Sequence, residues 1–182
     1  YDSNNRLTSL TDPRGEITSF TYDENGLLLQ ETLPGGGVTS YTYENGLPET
    51  ITDPAGVSLI YEYDQAGRIV GITDSAGTTT FTYDAGDNVT SITDPLGNTV
   101  TREYDQHGNL IKTTDAQGKV TRYTYDANDN LIALTDALNQ TVHYEYDNEG
   151  RLKKVIDARG NATTMVYDGV GRMTGVTDPL GN

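Results

Sequence analysis

Tyr1-Asp2-Ser3-Asn4-Asn5-Arg6-Leu7-Thr8-Ser9-Leu10-Thr11-Asp12-Pro13-Arg14-Gly15-Glu16-Ile17-Thr18-Ser19-Phe20-Thr21 opens the chain, and at Tyr22 the same pattern begins again. The opening tyrosine recurs at Tyr22, Tyr43, Tyr63, Tyr83, Tyr104, Tyr125, Tyr146 and Tyr167, at spacings of 21, 21, 20, 20, 21, 21, 21 and 21 residues. An acid follows every one of them: Glu44 once, aspartate otherwise. A second signal, Thr-Asp-Pro-x-Gly or a near variant, lies about eleven residues into each unit. A period this regular over the whole length marks a repeat architecture, built from one supersecondary unit that stacks on its neighbours.

The unit divides into two strands and two turns. Arg6 to Thr11 reads as a short strand. Asp12-Pro13-Arg14-Gly15 reads as a turn, with Asp at the first position, proline's fixed φ at the second and Gly at the fourth. Glu16 to Tyr22 reads as the returning strand, and Asp23-Glu24-Asn25-Gly26 as the next turn. Short strands between Gly/Asp/Asn turns predict antiparallel hairpins. No segment carries the apolar period of a helix.

The aromatics choose the face. All 13 tyrosines and both phenylalanines fall at the opening position or two residues before it, as in Phe20/Tyr22, Tyr41/Tyr43, Tyr61/Tyr63, Phe81/Tyr83, Tyr123/Tyr125 and Tyr144/Tyr146. Residues two apart on a strand share a face. The residues between are largely polar, so one face is expected to be packed and the other wet. Two units place Arg102 or Met165 at the first aromatic slot. Arg stacks on rings and Met packs its sulfur against them, so both are expected to fill the slot without leaving a hole.

The outgoing strand is harder to read. Its apolar residues sit three apart, as Leu7/Leu10, Ile69/Ile72, Leu131/Leu134 and Leu152/Val155. An odd spacing cannot face one way on a flat strand. Either a bulge intervenes or both faces are partly covered. The middle of the chain is the least regular. Leu33-Pro34-Gly35-Gly36-Gly37 replaces the Asp-Pro turn. The third unit loses a residue near Asn45-Gly46 and carries Pro48 in its strand, and the fourth loses one before Phe81.

Composition agrees with strands and turns. Apolar residues are 34% of the 182, against roughly 45–50% in ordinary soluble domains. Twelve Lys/Arg against 27 Asp/Glu give a net charge of −15, which opposes nucleic acid and anionic lipid, since both are bound through cation contacts. There is no cysteine, hence no disulfide, thiolate metal site or cysteine nucleophile. No run approaches the roughly 18 apolar residues of a membrane span. The chain starts and stops inside the pattern, without the atypical end units a solenoid needs, and reads as one array of nine units over residues 1–182, a piece of a longer one.

The Y-D-x-x-G-R-L pattern is clearest at Tyr63-Asp64-Gln65-Ala66-Gly67-Arg68-Ile69, Tyr146-Asp147-Asn148-Glu149-Gly150-Arg151-Leu152 and Tyr167-Asp168-Gly169-Val170-Gly171-Arg172-Met173. Together with the T-D-P-x-G turn it resembles the YD repeat of Rhs proteins, and the resemblance covers the whole chain. It implies hairpins strung into a long sheet that spirals into a hollow shell. In bacterial Rhs toxins and insecticidal toxin-complex components such a shell encloses a C-terminal toxin domain. The animal teneurins, which are adhesion receptors, use a similar shell. The near-uniform units here resemble the bacterial proteins more closely. Rhs shells often end in a D-P-x-G-L motif where an aspartate-dependent self-cleavage frees the toxin. The nearest stretches here, Asp94-Pro95-Leu96-Gly97-Asn98 and Asp178-Pro179-Leu180-Gly181-Asn182, lack that leucine. No catalytic residue is carried over.

Nor do the residues themselves assign a catalytic, cofactor-binding or metal-binding site. The turn aspartates Asp12, Asp53, Asp74, Asp94, Asp115, Asp136, Asp157 and Asp178 could form a calcium ladder. The plainer reading is that each accepts backbone N–H bonds in its own turn. Asp126-Ala127-Asn128-Asp129-Asn130 imitates a calcium loop, but Leu131 stands where the invariant glycine belongs. His107 and His143 fall in a turn and on the wet face, with no nucleophile beside them. Asn88, Asn139 and Asn161 match the N-glycosylation pattern, which a Thr-rich chain supplies readily. The tyrosine rows read as packing before sugar binding.

The sequence therefore predicts an all-β array of tandem antiparallel hairpins, about 21 residues each, in a long curved sheet. Its expected role is the structural wall of an Rhs-type shell that encapsulates a toxin domain, at the bacterial surface or secreted. The alternative is an extracellular fibre, or an adhesive or glycan-binding surface. Expected partners are the rest of the array, an enclosed toxin domain, copies of the chain and, on the alternative, glycans. No cofactor and no enzyme activity are expected.

Overall fold

The computed structural model describes all residues, Tyr1–Asn182. It holds seventeen strands and no helix, so no helix is long and apolar enough to cross a membrane. The chain forms two compact units, one of Tyr1–Thr82 with Thr93–Gly97, the other of Tyr83–Ile92 with Asn98–Asn182.

The first unit is built on β1 (Ser9–Thr11), β2 (Ile17–Tyr22), β3 (Leu28–Thr32), β4 (Val38–Glu44), β5 (Leu47–Thr52), β6 (Ser58–Tyr63), β7 (Ile69–Asp74) and β8 (Gly77–Tyr83). The second is built on β9 (Val89–Thr93), β10 (Thr99–Tyr104), β11 (Leu110–Thr114), β12 (Val120–Tyr125), β13 (Leu131–Thr135), β14 (Thr141–Tyr146), β15 (Leu152–Ile156), β16 (Ala162–Tyr167) and β17 (Met173–Thr177). Within each unit the strands form an antiparallel meander in chain order. Strand contacts within a unit join chain neighbours only, so each unit is one layer of sheet.

Register settles the odd spacing in favour of a bulge. Tyr63 faces Ile69 while Glu62 faces Gly71, which leaves Val70 as an extra residue. The same slip leaves out Leu29, Glu49, Ile111, Ile132, Lys153 and Thr174. One inserted residue turns a spacing of three into an effective two. Ile69 and Ile72 thus lie opposite Tyr63 and Tyr61 on one face. Leu131 and Leu134 likewise lie opposite Tyr125 and Tyr123. Pro48 sits at this bulge, opposite Tyr43, in an interior strand that it could not otherwise occupy.

Both kinds of turn share one shape. In Asp12–Glu16 the Gly15 N–H donates to the Asp12 carbonyl at 2.9 Å, and the Asp12 N–H to the Glu16 carbonyl at 2.9 Å. Asp64–Arg68 repeats both bonds at 3.0 Å. This is a type I turn closed by a residue in the left-handed region. That fourth residue is usually glycine, with φ +85° at Gly15 and +81° at Gly67; Asn5, Asp87, Asp129 and Asn139 take its place at φ between 59° and 64°. Two corners are one residue shorter, which explains the two 20-residue spacings. Glu44 pairs directly with Leu47 around Asn45-Gly46, and Asp74 with Gly77 around Ser75-Ala76.

The expectation of one packed face needs correction. The aromatic residues on the strands are half-buried and the residues between them, such as Thr21, Thr42, Glu62 and Thr124, are exposed, so the facing is as predicted. Yet no apolar side chain in the chain is fully buried. A single layer covers its rings only from the sides, by neighbouring rows, and nothing within a unit lies over the face.

Candidate functional site

With no core, each hairpin is fastened by polar devices that repeat with the period. The first is the tyrosine hydroxyl. Tyr22 Oη donates to the carbonyl of Leu7 at 2.9 Å, and Tyr43, Tyr63, Tyr104, Tyr125, Tyr146 and Tyr167 donate to Leu28, Pro48, Val89, Leu110, Leu131 and Leu152 at 2.8–3.0 Å. Each acceptor lies 15 residues back, in the residue just before the bulge position of the preceding outgoing strand. A bulge disrupts the ladder locally, and the phenol supplies a donor there. Burial raises the pKa of Tyr43, Tyr63, Tyr125 and Tyr146, assisted by the neighbouring tyrosine two residues earlier. The phenols therefore remain protonated donors.

The second device is the turn aspartate. Asp64 Oδ1 accepts the N–H groups of Ala66 at 2.9 Å and Arg68 at 3.0 Å, and Asp178 Oδ1 those of Leu180 and Asn182 at 2.9 Å. The backbone N–H of Arg68, then its side chain, hold the Asp64 carboxyl below its ordinary range. At Asp178 the backbone N–H and then the side chain of Asn182 do the same. These bonds are the plainer of the two readings of the aspartate ladder, and the carboxylates bind inside their own turns.

The arginine of Y-D-x-x-G-R completes the corner. Arg6 Nε donates to Asp2 Oδ2 at 2.7 Å, its other nitrogen reaches the Asp23 carbonyl at 2.7 Å, and its guanidinium lies 5.2 Å over the Tyr22 ring. Arg151 pairs with Asp147 at 2.6 Å and lies 5.0 Å over Tyr167. One side chain thus ties its own turn to the next unit's tyrosine. Where asparagine stands instead, as at Asn109 and Asn130, its amide donates to the same aspartate oxygen at 3.1 and 3.0 Å, but no ring contact forms.

Arg102 departs from expectation. It makes no ring contact, ion pair or side-chain hydrogen bond, and the slot is not filled. It faces Thr113, which in turn faces Thr121. Other rows place Tyr41, Tyr61, Tyr123 and Tyr144 against Ile51, Ile72, Leu134 and Val155. With ring and aliphatic partner both absent, a hollow of about 580 Å³ opens between Arg102, Thr113, Thr121 and the tips of the 115–119 and 136–140 turns. The sequence flagged Arg102 as a substitution but gave no weight to Thr113 opposite it, which is the signal for the hollow. Met165, in the same slot three units on, faces Val176.

The remaining sequence candidates stand apart. His143 is exposed on β14, between Ala133 and Ile156. His107 lies in its turn with Nδ1 2.9 Å from Asp129 Oδ1, the same oxygen that accepts the Asn109 amide at 2.6 Å. That hydrogen bond and the Asp129 charge raise the His107 pKa above its ordinary value. Asp126 Oδ1 is taken by the N–H groups of Asn128 and Asn130 at 2.9 Å. The Asn88 and Asn161 amides donate to Asp84 and Asp157 at 3.1 and 2.8 Å, while Asn139 holds a left-handed turn position. Asp94 and Asp178 occupy ordinary corners.

Residues 1–38, 22–58, 43–79, 63–99, 104–141, 125–162 and 146–182 each match the model of the RHS repeat. The chain belongs to the RHS repeat family. Each match spans nearly two units, and successive matches overlap by about one, except that 63–99 and 104–141 do not overlap. Sheets of the same fold occur in solved structures. A crystal structure of TcdB2-TccC3-TEV is similar at 18% identity with a TM-score of 0.59, over 98% of this chain and 12% of that one. The Photorhabdus luminescens Tc holotoxin pore is similar at 19% identity with a TM-score of 0.54, over 98% and 13%. The RHS repeats described here thus span about an eighth of those chains, and the likeness is one of fold. No curated protein sequence matches the chain.

Proposed function

We propose that these residues are a stretch of structural wall in an Rhs-type β-shell, and that the parent shell encapsulates and helps deliver a toxin domain C-terminal to the repeats. The observation that carries the reading is the way the hairpins are fastened. Tyrosine-to-carbonyl bonds, turn carboxylates and arginine bridges all act between chain neighbours, and no apolar side chain is fully buried. Such a sheet is stabilised along its length, as repeat arrays are, and extends without a globular core. Membership of the RHS repeat family and the fold shared with Tc complexes support the same role.

On this reading the wall has no catalytic part, works outside the bacterial cytoplasm, and contacts the rest of its array, an enclosed domain and other subunits. The charge of −15 sets it against nucleic acid. The second reading, an extracellular fibre or an adhesive, glycan-binding surface, is favoured by the half-exposed tyrosine rows. Limited proteolysis of the full-length parent separates the two. Encapsulation predicts that the region after the repeats survives protease until the shell is opened by denaturant. Cleavage of that region at the rate of an unprotected segment, with the repeats intact, would overturn encapsulation.

A further inference from the structure

The tetrapeptide Glu-Asn-Gly-Leu occurs twice, as Glu24–Leu27 and as Glu44–Leu47, in two corners of different build. At an Asn-Gly step the main chain can attack the asparagine side chain most easily, because glycine brings no side chain to shield its own nitrogen. At Asn25 the corner is tied down. The Gly26 N–H donates to the Asp23 carbonyl at 3.2 Å, and the Asp23 N–H to the Leu27 carbonyl at 2.9 Å. The Leu27 N–H donates to Asp23 Oδ1 at 2.7 Å, and the Asn25 amide to Asp23 Oδ2 at 3.5 Å. Arg6 also reaches the Asp23 carbonyl at 2.7 Å, and its side chain passes 3.8 Å from where a Gly26 Cβ would stand. The second copy lacks the aspartate. Glu44 follows Tyr43 directly and pairs with Leu47, leaving a two-residue loop with Asn45 and Gly46 both in the left-handed region, at φ 53° and 82°. Neither the Asn45 side-chain amide nor the Gly46 N–H has a hydrogen-bond partner, and both residues are exposed. Nothing lies within 4 Å of where a Gly46 Cβ would stand. In the other two-residue loop the N–H of the second residue, Ala76, is covered, donating to Asp74 Oδ1 at 2.7 Å.

We infer that Asn45 is a site of spontaneous deamidation, and that the fold directs the reaction there and away from Asn25. The Gly46 nitrogen gives up its proton and attacks the carbonyl carbon of the Asn45 side chain. A C–N bond forms, the bond to the amide nitrogen breaks, and that nitrogen leaves with the proton as ammonia. Water then opens the cyclic imide at one or the other carbonyl, giving isoaspartate or aspartate. Ring closure requires the corner to turn away from its resting backbone shape, and every bond that holds the corner opposes the turn. At Asn25 the attacking nitrogen's own bond and those to the Asp23 carboxylate must break first. At Asn45 only the pairing of Glu44 with Leu47 resists. Isoaspartate carries one more main-chain methylene, so Glu44 and Leu47 can no longer pair around a two-residue loop. Either product adds a negative charge beside Glu44. The site rests on these residues alone, whether or not the wall closes around a cargo.

The test is incubation of the intact protein that carries these residues in mildly alkaline buffer, followed by digestion with a glutamate-specific protease and mass spectrometry. Cleavage after Glu24, Glu31, Glu44 and Glu49 puts the two asparagines on separate peptides. Asn45 is expected to convert at least about tenfold faster than Asn25, the factor that two further hydrogen bonds of ordinary net worth imply. In denaturant the two rates should converge, because the tetrapeptides are identical and only the fold tells them apart. Equal rates in the native protein, faster conversion at Asn25, or an unmodified Asn45 under conditions where the denatured chain reacts would each overturn the inference. So would a native preference for Asn45 that persists unchanged in denaturant, which would place its cause in the flanking sequence.

Discussion

Two corners of the first unit, Leu33–Gly37 and Asp53–Val57, share one backbone shape, but only the second opens on a carboxylate, and Gly35 and Gly37 stand where it has Ala55 and Val57. In both a proline stands second and a left-handed glycine fourth, with φ +81° at Gly36 and +84° at Gly56. In both the fourth N–H donates to the first carbonyl and the first N–H to the fifth carbonyl, at 2.8 Å in one and 2.9 Å in the other. Only Asp53 adds side-chain bonds, accepting the N–H groups of Ala55 and Val57 at 2.8 and 2.9 Å. Leu33 has no such oxygen, yet the corner keeps its shape. Backbone φ preferences thus set the geometry, and the aspartate fastens a corner that is already formed.

The comparison breaks most readily at the glycines. Gly36→Val and Gly56→Val force a β-branched residue into the left-handed region, and each should cost about 2 kcal/mol in urea unfolding. The two losses should match, because the corners share that requirement; a large loss at Gly56 alone would mean the carboxylate sets the shape. Next comes the bond that closes the strand leaving each corner. Tyr43→Phe and Tyr63→Phe each remove a donor to a carbonyl, Leu28 or Pro48, at 2.8 Å. Each should cost about 1 kcal/mol, whether or not the corner carries an aspartate. The reciprocal exchange is smaller. Asp53→Leu should lose, and Leu33→Asp should gain, about 0.5 kcal/mol, the low end for solvent-exposed hydrogen bonds.

Acid separates the corners at the smallest scale. The Glu16 N–H, with help from Arg14, holds the Asp12 carboxyl below its ordinary value. A carboxylate depressed on folding contributes stability present above its unfolded pKa of about 3.9 and lost as pH falls through its lower folded pKa. An amide NMR titration from neutral to strongly acidic pH should therefore move Arg14 and Glu16, whose N–H groups donate to Asp12 at 2.8 and 2.9 Å. The Gly35 and Gly37 amides should stay flat through the same range. For His107 the sign reverses. Its raised pKa means that its bond to Asp129 contributes below the unfolded value of about 6.5 and weakens as pH rises through the folded one.

Much of the architecture was legible before any coordinate. Tyrosines two apart specified strands and their facing, and Asp-Pro-x-Gly specified the corners with their donors and acceptors. Leu7 and Leu10, three apart, announced a bulge without deciding for one, because choosing needs the register of the opposing strand. The tyrosine hydroxyls were legible only as rings, since their acceptors lie 15 residues back across a strand pair. The absence of a packed face was not legible at all: alternation tells which side a residue takes, and says nothing of what covers that side. At Arg102 the substitution was visible, but filling a slot depends on the residue opposite. Thr113 stands opposite Arg102, where other rows carry Ile51, Ile72, Leu134 or Val155.

The central claim, that these hairpins are wall and not filament, is tested most directly by cryo-electron microscopy of the intact parent protein. The account predicts a closed hollow particle with internal density, in which residues 1–182 form a stretch of curved sheet one layer thick. An open fibre, with the hairpin repeat running along its axis and no enclosed volume, would contradict it.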